Sequence, residues 1–386
     1  MSKIICSTNL CSGCGACLAV CPKQCISLKP DSRGHLFPLI DKKACVHCNL
    51  CRNTCPVNNP LSFNTPKTCY AGWAKDENEY ISSSSGGAAA VFSKYILEQG
   101  GTVYGAALQD NTVRHIRVSD KTDLSLLKGS KYVYSYAADV YQLIKKDLGE
   151  DKKVLFIGTS CQNAAVYNLF GNNPNLFLVN LICHGVPALK MLKEHLKEKG
   201  QGSIKNISFR YGSKFRLKFP NYNSSKNLIP DTYMTLFLKA VTYRPSCYKC
   251  QYAKAERIGD ITIGDFWGLG KNKEFKADLS KGCSVITVNT GKGVALLNAC
   301  SPYLELHERA YTEAVNGNAQ LHSPVADNIY LILFNKFYPR CSFGLAAWLS
   351  SFPLLIKELL KNIINLYMPH CFKEKIFNIY KHFKGK

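Results

Sequence analysis

The sequence is poor in acidic residues, and the common nucleotide-binding motifs are missing. It has 27 Asp and Glu against 49 Lys and Arg, so its formal net charge is +22. This excess favours an acidic redox partner, an anionic membrane surface or a phosphorylated substrate. No helix-turn-helix or zinc-finger spacing accompanies the lysines, and we therefore expect no nucleic-acid partner. No G-x-G-x-x-G and no P-loop occurs, which leaves a Rossmann-type nicotinamide or flavin site without support.

The sequence also shows no secretory signal and no long apolar run. The longest run, Phe343–Ile356, is too short to span a bilayer and contains Pro353. The 19 cysteines are therefore not interpreted as a secreted disulfide framework, and the cytoplasm is the expected location. Peripheral attachment to the inner face of the membrane stays open.

Eight of the cysteines form two copies of one spacing, C-x2-C-x2-C-x3-C-P. The first copy runs from Cys11 to Pro22 and the second from Cys45 to Pro56. Thiolates hold iron-sulfur clusters, and in two-cluster ferredoxins the fourth cysteine of each run ligates the other cluster. The spacing therefore predicts two 4Fe-4S clusters with crossed ligands. The predicted sets are Cys11, Cys14, Cys17 and Cys55 for the first cluster, and Cys45, Cys48, Cys51 and Cys21 for the second. Zinc, the alternative, explains neither the third cysteine nor the repeated proline.

The chain divides into three parts that differ in pattern. Residues 1–60 predict a small α+β two-cluster ferredoxin-like domain, which a linker joins to the rest. Residues 69–300 alternate strands with helices and predict an α/β main domain, split near residue 150. Strands are expected at 70–74, 102–108, 154–157, 176–182, 204–209, 260–264 and 284–288, and helices at 88–99, 137–148 and 189–199.

The last part, residues 301–386, predicts a basic helical tail. Apolar residues recur at helical spacing over 354–367, and the pattern returns among lysines after residue 371. Two arrangements fit this tail. In the first, residues 343–386 lie on an anionic membrane surface. In the second, the apolar stripe of 354–367 packs against the body or against a second copy of the chain in a homo-oligomer.

Four further cysteines suggest another metal site. Cys161 and Cys183 directly follow short buried strands, and ligands gather at the carboxyl ends of strands in such sheets. Cys247 and Cys250 form a C-x2-C pair that cannot close a site alone. Together the four predict a third 4Fe-4S cluster. Zinc at the same thiols and a nucleophilic Cys161 activated by His184 are the alternatives. The other seven cysteines are expected to be ordinary buried or surface thiols.

Two stretches predict contacts with a phosphorylated cofactor. Ser85, Gly86 and Gly87 precede a helix, whose first N–H groups form an anion site. The second stretch offers a cation and an aromatic face, and consists of Gly129, Ser130, Lys131 and Tyr132. A serine-rich helix cap and an ordinary turn are the respective alternatives.

Seven phrases in this order resemble the coenzyme F-420 hydrogenase/dehydrogenase beta-subunit family with a fused N-terminal ferredoxin domain. They are S-S-S-G-G at 83–87, V-Y-G-A at 103–106, G-S-K-Y at 129–132, G-T-S-C-Q at 158–162, I-C-H-G-V-P at 182–187, C-Y-K-C at 247–250 and G-D-I-T-I-G-D-F-W-G at 259–268. The resemblance covers residues 1 to about 300 and is of the bacterial, exopolysaccharide-locus type. Ser160 departs from it, because the family usually has proline before the cysteine.

The resemblance implies an iron-sulfur flavoprotein oxidoreductase. It implies FAD at the segments around Gly86-Gly87 and 129–132, and a third cluster at the thiols of Cys161, Cys183, Cys247 and Cys250. Electrons would pass from a ferredoxin or another low-potential donor to a small-molecule acceptor, such as a deazaflavin or an exopolysaccharide-pathway intermediate.

Three residues receive hypothetical roles on this basis. Lys131 is a candidate for a positive charge near the flavin, and His184 and Asp265 are candidates for moving substrate protons. The alternatives are a hydrogen bond from His184 to backbone or cluster sulfur and a turn role for Asp265. For the whole chain, an electron-transfer subunit without its own substrate pocket is the alternative, as is a structural or regulatory iron-sulfur protein of an envelope-polysaccharide complex.

Overall fold

The strands of the protein form three sheets. The computed structural model describes residues 4–211, 214–271 and 273–367. Within these ranges the sheets have two, three and eight strands. The strands are β1 (Ile26–Pro30), β2 (Leu36–Ile40), β3 (Thr68–Ala74), β4 (Thr102–Gln109), β5 (Thr112–Val118), β6 (Val154–Thr159), β7 (Leu176–Leu181), β8 (Ser208–Tyr211), β9 (Lys214–Phe219), β10 (Tyr222–Asn223), β11 (Ile261–Asp265), β12 (Ser284–Val288) and β13 (Leu304–Glu308).

Helices cover the large sheet and complete the N-terminal module. The α-helices are α1 (Ala16–Ala19), α2 (Leu50–Asn53), α3 (Glu77–Ser82), α4 (Ala88–Glu98), α5 (Tyr141–Gly149), α6 (Ser160–Phe170), α7 (Leu189–Glu198), α8 (Thr232–Leu238), α9 (Gly291–Cys300), α10 (Tyr311–Gly317), α11 (Ile329–Phe337) and α12 (Phe343–Tyr367). Short 3-10 helices lie at Lys121–Leu127, Ala138–Val140, Pro245–Lys249, Ser301–Tyr303, Ala319–Leu321 and Tyr338–Arg340.

The eight-stranded sheet is mixed, with strand order β13-β3-β12-β11-β7-β6-β4-β5. Strands β4, β6, β7 and β11 are parallel neighbours, and the pairs outside this group are antiparallel. Its central strands are buried on both faces because helices cover each side. Within β6, Leu155 packs into one core, whereas Val154 and Phe156 pack into the other. This architecture confirms the predicted α/β main domain behind a small α+β module.

Most predicted strands match strands of this sheet, and the errors have local causes. Six lie within two residues of β3, β4, β6, β7, β11 and β12. The strand expected at 204–209 begins only at Ser208, so that prediction is wrong by four residues. Strand β5 was missing from the prediction. It follows β4 through Asp110 and Asn111, both at positive φ, which form the tight turn of a hairpin.

The predicted boundary at residue 300 is wrong for the sheet. Strand β13 lies beyond it and pairs with β3, so that Leu304 is opposite Ala74 and Glu308 is opposite Tyr70. The part expected to be a helical tail therefore supplies an edge strand of the main domain. Helical structure then follows in α10, α11 and α12, as expected.

The last helix described, α12, packs on the body through one face only. Phe343, Ala346, Ala347 and Leu355 are buried with residues of α8 and α11. Its backbone departs from helical geometry at Ser351, two residues before Pro353. The apolar residues of the opposite face are exposed. They are Leu345, Leu349, Phe352, Leu360, Ile363, Leu366 and Tyr367.

This helix corrects the expectation that the apolar run is too short to span a bilayer. By length and composition alone, Phe343–Ile364 is long and apolar enough, with mean hydropathy 1.4, and one third of it is buried in the body. The second apolar repeat of the predicted tail lies outside the described residues.

Close backbone contacts seat the N-terminal module on the main domain. A Cβ atom on Gly15 would lie 2.6 Å from the Cβ of Ala138, so only glycine allows this approach. The hydroxyls of Tyr134 and Tyr141 donate hydrogen bonds of 2.6 Å to the carbonyls of Gly13 and Cys14. The loop that carries the first cysteines is therefore held directly against the body.

Candidate functional site

The first crossed set of cysteines lines a single cavity in the module. The set is Cys11, Cys14, Cys17 and Cys55. Three members come from the first run and Cys55 from the second, so the fold brings together the set that the spacing predicts. Gly13 and Gly15 lie between these cysteines at φ of 70° and 80°. This left-handed backbone suits glycine and wraps the loop around the cavity.

The second crossed set lines a separate cavity. Its members are Cys21, Cys45, Cys48 and Cys51. Cys48 is exposed, whereas three of the four thiols in the first cavity are buried. The second cavity is therefore the outer one, and the first lies against the main domain.

Each cavity contains a fifth thiol that sequence reasoning treated as ordinary. Cys6 lies in the first cavity, and Cys25 lies in the second with its sulfur 3.5 Å from that of Cys21. Hydrogen bonding to the Cys6 thiol lowers the pKa of Cys11 to about 6 and the pKa of Cys55 to about 7. The only signal in the sequence was proximity, since Cys6 and Cys25 lie within five residues of a motif cysteine.

The four later cysteines also converge. Cys161 is the second residue of α6, which directly follows β6, and Cys183 follows β7, the parallel neighbour of β6. The 3-10 helix Pro245–Lys249 and the residue after it bring Cys247 and Cys250 to the same place. Electrostatic repulsion from Cys247, Cys161 and Cys250 adds to burial in raising the pKa of Cys183. The thiols therefore lie within interaction range of one another.

The surroundings of these four thiols fit a group that stabilises thiolate. Burial raises the pKa of Cys247 to about 12 and that of Cys250 to about 11, so neutral thiols are favoured at pH 7 without a cationic partner. All four are partly exposed, unlike the buried Cys69, Cys283 and Cys300 elsewhere in the main domain. Within residues 4–211, 214–271 and 273–367, no three His, Cys, Asp or Glu side chains are spaced to hold a single metal ion.

Two buried arginines flank this group. Arg244 is 1% exposed and Arg257 is 3% exposed. Arg257 donates to the Ser160 hydroxyl and the Tyr252 carbonyl, each at 2.9 Å. Every oxygen that accepts from the two guanidinium groups is a carbonyl or a hydroxyl, so no carboxylate in the described part of the chain neutralises them. A buried cation without a counter-ion is costly, and an anionic cluster among the thiols would supply the missing charge.

The inner cavity of the module adjoins the four later thiols. Burial raises the pKa of Cys14 to about 12, and Cys161 of the main domain contributes repulsion to this shift. Burial raises the pKa of Tyr252, and repulsion from Cys161, Cys14 and Cys250 adds to this shift. Thiols of the inner cavity and of the later group therefore lie near the same tyrosine.

The structure joins the two stretches predicted to contact a cofactor. The Ser130 N–H donates to the Ser84 hydroxyl at 2.9 Å. Gly87 directly precedes α4 and has a left-handed backbone, with φ 82°, which glycine adopts without strain. The Gly86 N–H, however, donates to the Ser284 hydroxyl at 3.0 Å, and the Ser85 hydroxyl donates to the Cys283 carbonyl. The Gly86 N–H therefore serves the fold rather than a phosphate group.

Lys131 points back at its own turn. Its ammonium group donates to the carbonyls of Leu127 and Lys128 at 2.9 and 2.8 Å, and burial lowers its pKa to about 8. Gly129 has φ 80° and starts this turn. Two of the three ammonium hydrogens are thus used within the turn, which differs from the extended cation that the sequence suggested.

Asp265 and His184 lie at the carboxyl ends of the neighbouring parallel strands β11 and β7. The Arg210 guanidinium donates to the Asp265 carboxylate at 2.7 Å and to the Tyr132 hydroxyl at 3.2 Å. Burial lowers the pKa of His184, and Asp265 opposes this effect. Arg210 therefore connects a predicted cofactor contact with a predicted catalytic residue. Sequence reasoning missed it because it comes from β8, in the separate three-stranded sheet.

The paired cysteine cavities beside an α/β domain define an iron-sulfur electron-transfer protein. Residues 10–59 match the model of the 4Fe-4S dicluster domain, and residues 151–313 match that of the C terminus of the coenzyme F420 hydrogenase/dehydrogenase beta subunit. The chain therefore combines a C-terminal domain of this beta-subunit family with a dicluster domain at its N-terminal end. The predicted iron-sulfur clusters of the N-terminal domain are therefore supported.

Three similar proteins come from two other organisms. An uncharacterized protein of Methanocaldococcus jannaschii is 22% identical in an alignment 360 residues long, which covers 81% of this chain and 93% of that protein. An uncharacterized ferredoxin of the same organism is 36% identical over 78 residues, 20% of this chain and 92% of the ferredoxin. A chain of the F420-reducing NiFe hydrogenase complex from Methanosarcina barkeri has 19% identity and a TM-score of 0.48, over 66% of this chain and 91% of that chain.

Proposed function

We propose that this protein is an oxidoreductase that takes electrons from a ferredoxin or another low-potential donor and delivers them to a small organic acceptor. Three 4Fe-4S clusters and FAD would supply the redox chemistry, since clusters exchange single electrons and a flavin exchanges one or two. The acceptor is a deazaflavin or an intermediate of exopolysaccharide synthesis. The three groups of cysteines would form the route between donor and acceptor.

The observation that carries this proposal is the position of Cys161 between the module and the body. Cys161 interacts electrostatically with Cys14 of the inner cavity and with Cys183 of its own group. Cys161, Cys183, Cys247 and Cys250 would hold the third cluster. The buried Arg244 and Arg257 would supply the positive charge that an anionic cluster requires.

The outer cavity is the place where a donor would deliver electrons. Cys48 is exposed there, and Lys23 and His47 lie on the same wall. A basic surface around an exposed site favours an acidic partner such as a ferredoxin. The inner cavity is shielded by the main domain, so it would pass electrons inward rather than to solvent.

The acceptor would bind at the carboxyl ends of β7 and β11. Asp265 holds Arg210 in place, and the guanidinium also donates to the Tyr132 hydroxyl and covers the Phe215 ring at 4.6 Å from its centroid. Burial of the His184 imidazole lowers its pKa, so the ring is neutral at pH 7 and could accept a proton. Ser84, Ser130 and the adjoining residues would hold the flavin on the neighbouring side of this edge.

The exposed face of α12 supports a location at the cytoplasmic membrane surface. Among the exposed large apolar residues of the described chain, nine lie between Ile329 and Tyr367, a segment of about one tenth of the sequence. From residue 329 to 386 the sequence has nine Lys or Arg and two Glu. Apolar residues beside basic ones match a surface of anionic lipid headgroups.

Stopped-flow mixing under anaerobic conditions tests the proposed reaction. Reduced ferredoxin is mixed with the purified protein, and absorbance changes of clusters and flavin are followed. Candidate acceptors, including F420 and nucleotide-linked sugars, are then added to the reduced protein. We expect bleaching by the donor and reoxidation by one acceptor class. The Asp265→Asn variant should be reduced at the wild-type rate and reoxidised at least about tenfold more slowly.

Two results would overturn this proposal. Absence of bleaching, with intact clusters, would exclude ferredoxin as the donor class. Reoxidation by a partner protein but by none of the small molecules would identify an electron-transfer subunit without a substrate pocket.

A further inference from the structure

Arg244 joins the dicluster module to the body from a fully buried position. Its Nε donates to the Cys11 carbonyl at 2.6 Å, and its Nη2 donates to the Leu36 carbonyl at 2.7 Å. The same Nη2 lies 3.7 Å from the Cys11 sulfur. The guanidinium also covers the Phe37 ring at 4.3 Å from its centroid. One side chain of the body therefore contacts both a predicted ligand of the inner cluster and the hairpin beneath it.

The main chain of Arg244 is anchored at the third group of cysteines. Its N–H donates to the Val186 carbonyl at 3.0 Å, three residues after Cys183. Its carbonyl accepts from the Cys247 N–H at 2.9 Å. The positive charge thus sits between the inner cavity and the third group, in a region of low polarity where charge interactions are strong.

The module is shaped to admit this guanidinium. A Cβ atom at Gly13 would lie 3.0 Å from Nη1 and 3.1 Å from Cζ of Arg244, and Gly13 has φ 70°. Any larger residue there would push the guanidinium away from Cys11. The wall of the outer cavity holds Lys23 and His47, and both are exposed. Beside the inner cavity, the guanidinium that lies 3.7 Å from the Cys11 sulfur is buried.

We propose that Arg244 is a positioning residue that raises the reduction potential of the inner cluster above that of the outer cluster. Reduction adds one electron, and so one negative charge, to the cluster held by Cys11. A fixed buried cation that donates a hydrogen bond toward a ligand sulfur stabilises the more negative state. An electron that the donor places on the outer cluster therefore moves inward.

Redox titration monitored by electron paramagnetic resonance tests this role, with dithionite as the reductant and the intact protein as the sample. Wild type should show two midpoint potentials for the dicluster module. In Arg244→Met, the midpoint potential of the inner cluster should fall by about 59 mV. For a one-electron couple, this fall corresponds to about a tenfold change in the equilibrium that shares an electron between the two clusters. Arg244→Lys retains the charge and should show a smaller fall of the same potential.

Arg33→Met is the matched control. Arg33 also connects the module to the body, through a hydrogen bond of 2.6 Å to Asn335, but Asp31 neutralises it and it lines neither cavity. Both potentials should equal those of wild type in this variant. Unchanged potentials in Arg244→Met with full iron content would overturn the proposal. If Arg244→Met loses iron, Arg244→Lys decides, and wild-type potentials there refute the role.

This role depends on the dicluster module and on none of the steps toward an organic acceptor. The midpoint potentials can therefore shift as expected even if the third cluster or the flavin proves absent. Conversely, an intact three-cluster protein with unchanged potentials in both Arg244 variants would refute only the role of Arg244.

Discussion

The Nη2 of Arg257 donates a hydrogen bond of 2.9 Å to the Oγ of Ser160, the residue directly before Cys161. The family pattern that this sequence resembles usually has proline there, which has no hydroxyl to offer. Serine therefore gives the buried guanidinium a partner at the edge of the third group of cysteines. It also occupies the first position of α6, where proline would be tolerated.

Substitution of Ser160 should destabilise this edge. Ser160→Ala leaves one Arg257 N–H without a partner, and a buried unpaired donor of this kind costs about 1–3 kcal/mol. We expect a lower free energy of unfolding in urea and faster loss of iron to a chelator. Ser203→Ala, in an exposed loop, is the control and should match wild type. Equal iron loss in Ser160→Ala and wild type would show that the hydrogen bond does not support the site.

The crossed arrangement of the two cavities can be tested by single cysteine variants. Cys55→Ser and Cys11→Ser should weaken the same cluster signal, because both thiols line the inner cavity. Cys21→Ser and Cys48→Ser should weaken the other signal, because both line the outer cavity. Electron paramagnetic resonance of the reduced variants distinguishes the signals. If Cys55→Ser weakened the same signal as Cys48→Ser, the crossed ligand sets would be contradicted.

Burial of Lys131 predicts a specific dependence of stability on pH. Its pKa is lowered to about 8 in the folded protein and is near 10.4 in the unfolded chain. Between these values the unfolded chain binds more protons, so the contribution of Lys131 to stability rises with pH. We compare the thermal midpoint of wild type with that of Lys131→Met at each pH. The difference, wild type minus variant, should rise from pH 8 to pH 10. A difference that stays constant with pH would show that Lys131 is not desolvated.

Vesicle binding tests the exposed face of α12. Wild type should sediment with vesicles that contain phosphatidylglycerol and less with phosphatidylcholine alone, and salt should weaken binding. Leu349→Glu with Phe352→Glu places charge on this face and should abolish sedimentation. Leu143→Glu, an equally exposed leucine on α5, is the control. A change from dimer to monomer in the double variant, without vesicle binding by wild type, would identify a second copy as the partner of this face.

The sequence predicted the groups of cysteines better than their surroundings. Short gaps such as C-x2-C restrict where thiols can lie, so the sets around Cys11 and Cys45 were visible in the spacing. The meeting of Cys161 with Cys183 followed from neighbouring parallel strands, because their carboxyl ends share one edge of the sheet. Both inferences depend on local rules that a sequence retains.

The residues that surround these groups follow no local rule. Arg244 and Arg210 reach their partners across more than 50 positions of sequence, through packing between separate sheets. Cys6 enters the inner cavity because the chain before Cys11 folds over it. The edge strand β13 was missed since its pairing with β3 spans most of the main domain. Such contacts are set by the three-dimensional fold and not by periodicity.

Iron and acid-labile sulfide per chain, measured after anaerobic purification, test most directly whether the four later thiols hold a cluster. We predict about 12 irons in wild type and about 8 in Cys250→Ala, since each 4Fe-4S cluster contributes about four. Cys341→Ala removes a partly buried thiol elsewhere and should retain about 12 irons. About 8 irons in wild type, unchanged by Cys250→Ala, would contradict the third cluster and the electron route through Cys161.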